Sequence, residues 1–379
     1  MFAPITIGRQ AVGVRSVPIG TTGGLAMTAN GAALGIDVGG TSIKVRLVAD
    51  DGRVLEEQRV PTPREDPQAT ALAELVATLG QRARTVARRR GTELGAIGLV
   101  VPGVVDEDAG RSVLSVNLGW RDVPVRARVD DALRAAGVDA VPLAFGHDVR
   151  AGALAEVRAA GPGAAPGGPL ATDTDTDTDT DTDTDTIAAL GRGTVAFVPV
   201  GTGLASALVV DGRVVPGGGW AGEVGQVRIR DGAHAGLRVE EVASAGAVAR
   251  RSGAPSAHDA MLRVLDGDPV ARRAWDDCVD VLADTLAWLT AVAGCHTLIV
   301  GGGLAQSGPL LFDPLRAAVA DRLAGVRLPE LVGARHGDAA GAIGAVLLAR
   351  QARAGSAQAG SARAASVRAG SVPDVAVTA

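Results

Sequence analysis

Carboxylates placed beside glycine turns are the first chemistry this sequence offers. A short apolar run, Leu34-Gly35-Ile36, leads into Asp37-Val38-Gly39-Gly40-Thr41, and from Ser42 to Val48 apolar and polar residues alternate. The pattern predicts strand, tight turn, strand. Gly39 and Gly40 lack a Cβ, so the backbone can approach a ligand and aim N–H groups at an anion; Thr41 adds a hydroxyl donor. Asp37 has the wrong sign for an anion and suits a divalent cation beside phosphates, or a water on that cation. The pattern recurs at Val198–Val200, Gly201-Thr202-Gly203 and Leu204–Val210. Each copy ends in an Asp-Gly hairpin, Asp51-Gly52 and Asp211-Gly212, because this pair tolerates the positive φ of a two-residue turn. Two copies of one phosphate-friendly hairpin predict two similar lobes facing each other across a cleft that closes.

Other stretches carry side chains suited to a small polar ligand. Gly217 to Gln226 sets Glu223 and Gln226 among small residues, a composition suited to gripping a polyol. Leu143–Asp148 predicts a short strand ending in polar residues, with a helix from Val149 to Ala159. Asp148 therefore stands at the junction, where N-capping alone would contribute about 1 kcal/mol. Ala96–Val101 predicts a buried strand, and Pro102-Gly103-Val104-Val105-Asp106 turns at its end, where open α/β sheets line their crevices. The loop Ser115–Trp120 offers the Asn117 amide and the Trp120 ring, a candidate wall for a sugar-sized pocket. Leu298–Val300 predicts a strand running into Gly301-Gly302-Gly303, glycines against which a flat ligand such as adenine could lie.

The elements that must position these groups follow from period and caps. Apolar spacing predicts helices over 66–90, 268–293 and 309–323, and a small-residue helix over 337–345. At 379 residues the chain is long enough for two domains. Hydrophobic residues make up 47% and aromatics 2%, with no tyrosine, so the cores are built from Val, Leu, Ile and Ala. Seven aspartates of an Asp-Thr repeat lie within the low-complexity segment 160–186; setting them aside moves the formal charge from −5 to +2, with no basic patch to suggest nucleic acid. Cys278 and Cys295 form no CxxC pair and fit a reducing cytoplasm. No apolar run is long enough to span a membrane. Residues 1–30 read as a disordered extension or as upstream of a true start at Met27, 160–186 as a disordered loop, and 353–379, with its Ala-Gly-Ser units, as a disordered tail.

With these residues in order, the chain resembles the ROK (repressor, open reading frame, kinase) family of sugar kinases over roughly Leu34 to Arg350. The resemblance rests on Asp37–Thr41, Val101–Asp106, Phe145–Asp148 with its following helix, Gly201–Gly203 leading to Ala221–Gly225, and Val300–Gly303. It implies an α/β, two-lobed actin/hexokinase-type (ribonuclease H-like) fold, with 31–145 plus 336–352 as a small lobe and 146–335 as a large one. It implies that Asp37, Gly39, Gly40, Thr41 and Lys44 form the first phosphate site, with magnesium at Asp37. Gly201, Thr202 and Gly203 would form the second, and Gly301, Gly302 and Gly303 part of the adenosine site. Asp148 matches the family's catalytic base, and Glu223 and Glu240 match sugar-binding carboxylates, joined by Gly103, Asn117, His147 and Gln226. The implied activity is ATP-dependent phosphorylation of a hexose hydroxyl, of the glucokinase type, with ATP and magnesium, in a cytoplasmic homodimer without nucleic-acid or membrane partners.

Departures from the family pattern matter. His147 stands where Asn is usual, and Gln226 where His is usual. The family's cysteine cluster, which forms a structural zinc site with that His, is missing: Asp231–Val239 holds no cysteine, and a tetrahedral Cys₃His site cannot be built from it. The expectation is no zinc, with the loop presenting Glu240 held by packing instead. A catalytically weak sugar sensor is the alternative, and polyphosphate an alternative donor. A transcriptional repressor would need an N-terminal helix-turn-helix, for which residues 1–30 are too short and unpatterned.

Overall fold

A computed structural model of the chain describes residues 31–139, 141–158 and 190–369. The expected N-terminal extension and the Asp-Thr repeat lie outside those residues. β1 (Gly31–Val38) is buried along its length after the first residue, because its apolar run meets a core on both faces. It pairs antiparallel with β2 (Ser42–Ala49), which pairs antiparallel with β3 (Val54–Pro61). On its other side β1 is parallel to β4 (Glu93–Val101). The chain then makes a small antiparallel sheet of β5 (Val104–Asp106), β6 (Arg111–Ser115) and β7 (Trp120–Val123). It returns as β8 (Leu143–His147), parallel to β4, giving the order β3-β2-β1-β4-β8.

The second sheet repeats that plan. β9 (Thr194–Pro199), β10 (Ala207–Val210), β11 (Arg213–Val214), β12 (Thr297–Gly301) and β13 (Glu330–Gly333) lie in the order β11-β10-β9-β12-β13. The senses also match, two antiparallel pairs followed by two parallel ones. The doubled glycine hairpin is thus the visible part of a doubled lobe.

Helices close each core. α1 (Thr70–Arg89) and α2 (Val125–Ala135) cover one face of the first sheet, burying Leu72, Val76, Val129 and Leu133 against Leu34, Ile36, Ile97 and Leu99. The Asp66 carboxylate lies ahead of α1 and accepts from the Thr70 and Leu72 N–H groups at 2.8 and 2.9 Å, satisfying two otherwise orphaned donors. α3 (Asp148–Arg158) leads away from β8. In the second lobe α4 (Ala245–Ser252), α5 (Ala257–Leu265), α6 (Pro269–Ala293), α7 (Gly302–Ala305) and α8 (Pro309–Arg322) gather around Trp275, Leu282, Leu286 and Leu298. Asp268 caps α6, accepting from Val270 N–H at 2.7 Å.

The last helix, α9 (Ala340–Ala369), crosses the free face of the first sheet and packs on α3. It approaches so closely that a Cβ on Gly98 would stand 1.9 Å from the Ala345 carbonyl oxygen. It also runs past residue 353, where the Ala-Gly-Ser units predicted disorder. Alanine and arginine extend a helix that is already nucleated, and Arg350 and Arg353 anchor it by donating to Ala49 O at 2.6 Å and Asp50 Oδ1 at 2.7 Å.

Buried Glu156 ties α3 to the entry of α9. Its carboxylate accepts from the Arg335 and His336 N–H groups, each at 2.9 Å, and its carbonyl from Arg335 Nη2. Glu156→Ala keeps the backbone carbonyl but leaves the half-buried Arg335 and His336 N–H groups without their acceptor, and is expected to cost about 1–3 kcal/mol for each. An unchanged urea midpoint for that variant would show the tie to be dispensable.

Candidate active site

A cleft of about 910 Å³ opens between the lobes. Its lining contains Gly103, Asn117, His147, Asp148, Glu223, Gln226 and Glu240, and the second glycine turn, Gly201, Thr202 and Gly203. The residues read as polyol-facing are therefore brought together from β4, β6, β8 and the Gly217–Glu240 loops, far apart in sequence. Asp37, Gly39, Gly40, Thr41, Lys44 and Gly301–Gly303 do not line that cavity. Gly40 adjoins it through Asn117, whose Cβ would be 3.3 Å from a Cβ at Gly40. Gly301 O accepts from Val200 N–H at 2.9 Å, which joins the third glycine run to the second turn.

Asp148 begins α3 and accepts its own first-turn Val149 N–H at 2.8 Å. About a quarter of its side chain, 26%, opens to the cleft. Burial and then the Asp37 charge, followed by Glu223, push its carboxyl up to about 8, against the relief from Val149 N–H and Lys44. Asp37 itself sits buried at the end of β1, 3.4 Å from Lys44 Nζ. Burial raises its pKa, and Lys44 offsets part of that. Gly341 of α9 makes room for it, since a Cβ there would be 2.6 Å from the Asp37 carboxyl carbon.

His147 has a defined tautomer. The Arg150 backbone N–H donates to its Nδ1 at 3.3 Å, so that nitrogen carries a lone pair. Burial, reinforced by the Arg150 charge, lowers the ring's pKa to about 3. The ring is thus neutral, its proton is on Nε2, and that N–H stands 3.4 Å from Asp148 Oδ1. Nδ1 faces the Arg150 N–H and Nε2 faces Asp148, and the residue itself lines the cleft. Beneath it Glu107 Oε1 accepts from His147 N–H at 3.0 Å and Arg150 Nε at 2.8 Å. Neither Glu107 nor Arg150 was legible as a site residue, because nothing local marks them.

On the opposite wall, Glu223 is raised by burial, with Arg150 lowering and Glu240 raising it. The loop presenting Glu240 is held by packing, as expected, with Val239 and Val242 in the second core and Val224 and Ile229 against it, and by charge as well: Arg238 Nη1 donates to Gln226 Oε1 at 2.9 Å and lies 2.8 Å from Glu240 Oε1. The donor set does not suit zinc. No cysteine lies in this loop, and Cys278 and Cys295 are free and buried elsewhere. The aromatic wall is also different from the one expected. Trp120 is buried, donating its Nε1–H to Asp66 O at 2.8 Å, whereas Trp220 is 59% exposed and lines the cleft.

Two lobes of one topology, with Asp148, Glu223, Glu240 and the second glycine turn on the cleft between them, define the hexokinase-type architecture. The chain belongs to the ROK family, whose model matches residues 33–163 and 173–352. The glucokinase of Streptomyces coelicolor is 25% identical over 352 residues, covering 85% of this chain and 98% of its own length. A ROK family glucokinase from Streptomyces griseus, solved with glucose and AMPPNP, shares the fold at TM-score 0.63 and 24% identity, over 84% of this chain and 99% of that one. A ROK family transcriptional regulator, homologous to the E. coli MLC protein, shares it at TM-score 0.66 and 20% identity, over 86% and 78%.

Proposed function

We propose that the protein is an ATP-dependent hexose kinase of the glucokinase type. The observation that carries the reading is the seat of Asp148 in the cleft lining with Glu223 and Glu240, where burial first, and then the charges of Asp37 and Glu223, raise its carboxyl. A base between a phosphate side and a polyol side can accept the proton of a sugar hydroxyl as that oxygen attacks a phosphoryl group. Phosphoryl transfer otherwise asks mainly for positioning and charge neutralisation. In this reading Glu223, Glu240, Gln226, Asn117 and Gly103 receive the sugar and His147 orients the base. Gly39, Gly40, Thr41, Lys44, Gly201, Thr202 and Gly203 receive phosphates, and Gly301–Gly303 the adenosine.

Magnesium fits this end of the site, because Asp37 and Asp148 repel one another and a cation relieves both. Among the described residues no group of three or more His, Cys, Asp or Glu is gathered to hold a metal. Asp37 would therefore share the ion with phosphate oxygens and waters, and the ion would neutralise phosphate charge. A homodimer in the cytoplasm is part of the proposal. Two free, buried thiols support the compartment, and sedimentation velocity checks the assembly. Among the described residues no helix is long and apolar enough to cross a membrane.

The test is ADP release with ATP and magnesium over glucose, mannose, fructose, N-acetylglucosamine and N-acetylmannosamine, with a polyphosphate arm. Turnover of one sugar supports the kinase and names its substrate. A second reading, a sugar sensor, is favoured by the engagement of the His147 nitrogens and Gln226 Oε1 within the protein. No turnover combined with a sugar-dependent rise in Tm would select it.

A further inference from the structure

We infer that Arg238 does the positioning work of a structural metal in the sugar loop, so that this site binds its sugar without zinc; the inference rests on the sugar-kinase reading above. Within this loop the family's metal ligands are missing, yet the loop is cross-linked at the same place. One guanidinium reaches three residues. Nη1 donates to Gln226 Oε1 at 2.9 Å and forms an ion pair with Glu240 Oε1 at 2.8 Å, while Nε lies 3.3 Å from Glu241 Oε2. The Arg238 backbone N–H donates to the same Glu241 oxygen at 2.7 Å.

Backbone bonds frame this clip on both sides. Val239 N–H donates to Val227 O at 2.9 Å and Ile229 N–H to Leu237 O at 2.8 Å, bringing the two ends of the loop side by side. Arg228 Nη1 donates to Gly236 O at 2.7 Å and closes its tip. Gln226, Arg238, Glu240 and Glu241 all line the cleft, so the clip is part of its wall. Its geometric consequence falls on Glu240. Oε1 is committed to Arg238, while Oε2 lies against Gly203, 2.9 Å from where a Cβ would stand. The planar fork of arginine holds several acceptors in fixed directions, as a tetrahedral ion would; a lysine ammonium on a flexible stem does not.

The substrate class is a hexose whose hydroxyls face Glu240 and Gln226, and the expected effect of losing the clip is on sugar affinity. With glucose, or whichever panel sugar the wild type turns over, Arg238→Gln is expected to raise the sugar KM about tenfold or more. The KM for ATP should stay within about twofold, and kcat should fall less than the sugar affinity does. Arg238→Lys should recover only part of the loss. Glu241→Gln removes one carboxylate charge at the far end of the clip and should give a smaller rise in the same direction, which keeps the test open if Arg238→Gln folds poorly. Treatment with 1,10-phenanthroline in excess magnesium should leave activity unchanged. An unchanged sugar KM in both Arg238→Gln and Glu241→Gln would overturn the inference, as would loss of activity to the chelator with rescue by zinc. Absence of wild-type turnover counts instead against the kinase reading, and the same variants are then compared by calorimetric sugar Kd.

Discussion

Asp148→Asn is expected to lower kcat by about 10²–10⁴-fold and, at the same time, to make the protein more stable above neutral pH. The amide keeps the shape of the carboxylate and can still accept from Val149 N–H, bonded at 2.8 Å, so the start of α3 survives. What it lacks is the lone pair that takes the sugar proton. The stability effect follows from linkage. The folded-state pKa of Asp148, about 8, lies above its ordinary value of 3.8. The folded state therefore holds a proton that the unfolded chain has released. Stability contributed by that proton is complete below about 4 and is lost as pH rises through about 8. The neutral amide escapes this loss, so the gain in Tm should be a few degrees at pH 8–9 and vanish near pH 4. For the wild type, kcat/KM for the sugar should climb with pH and level off above about 8, because the base must be unprotonated. Scanning calorimetry and a pH–rate profile check both arms. Full activity in the amide variant would remove Asp148 from its role.

Gly341→Ala should damage the phosphate side and spare the sugar side. The added methyl carbon would fall 2.6 Å from the Asp37 carboxyl carbon and from Oδ2, and 2.9 Å from Oδ1. Either α9 lifts or the carboxylate moves, and α9 is pinned to the first sheet by Arg350 and Arg353. The carboxylate is the part that yields. A displacement on the order of 1 Å at a catalytic centre costs about 10²-fold, so kcat/KM for ATP is expected to fall by about 10–100-fold. Sugar affinity measured by calorimetry should change less than about twofold, since the Glu223 and Glu240 wall does not touch α9. Alanine is the better helix former, by about 1 kcal/mol, which offsets part of the strain in overall stability. Equal losses for ATP and sugar would mean that the lobes, and not Asp37, had shifted.

Much of this molecule is legible in the sequence because the relevant physics is local. Turn chemistry writes itself into neighbouring residues, so Asp51-Gly52, Asp211-Gly212 and the doubled glycine turns disclose two lobes. Helical period likewise announced α1 and α6, and the structure adds that Asp66 and Asp268 satisfy their first N–H groups. The run of small residues near Gly341 announced a close-packed helix. Cysteine count alone excluded a Cys₃His centre in the sugar loop. In each case the decisive neighbours are a few residues apart, and the chain itself holds them together.

Only the tertiary structure decided the rest, because those contacts join positions whose spacing carries no signal. Nothing local marks Arg238, and its contacts depend on the loop folding back to bring Gln226 beside Glu240. The His147 tautomer depends on the Arg150 N–H one helical turn on, and on a burial that no local pattern records. Trp120 and Trp220 look alike in sequence, yet one meets a core acceptor and the other the cleft. α9 outran its low-complexity composition because an already formed helix, anchored on Asp50, extends at little cost. Residue types and their local spacing determined which chemistry was available and which elements would form. Long-range packing determined which of those groups meet, with what charge and on which side of the cleft.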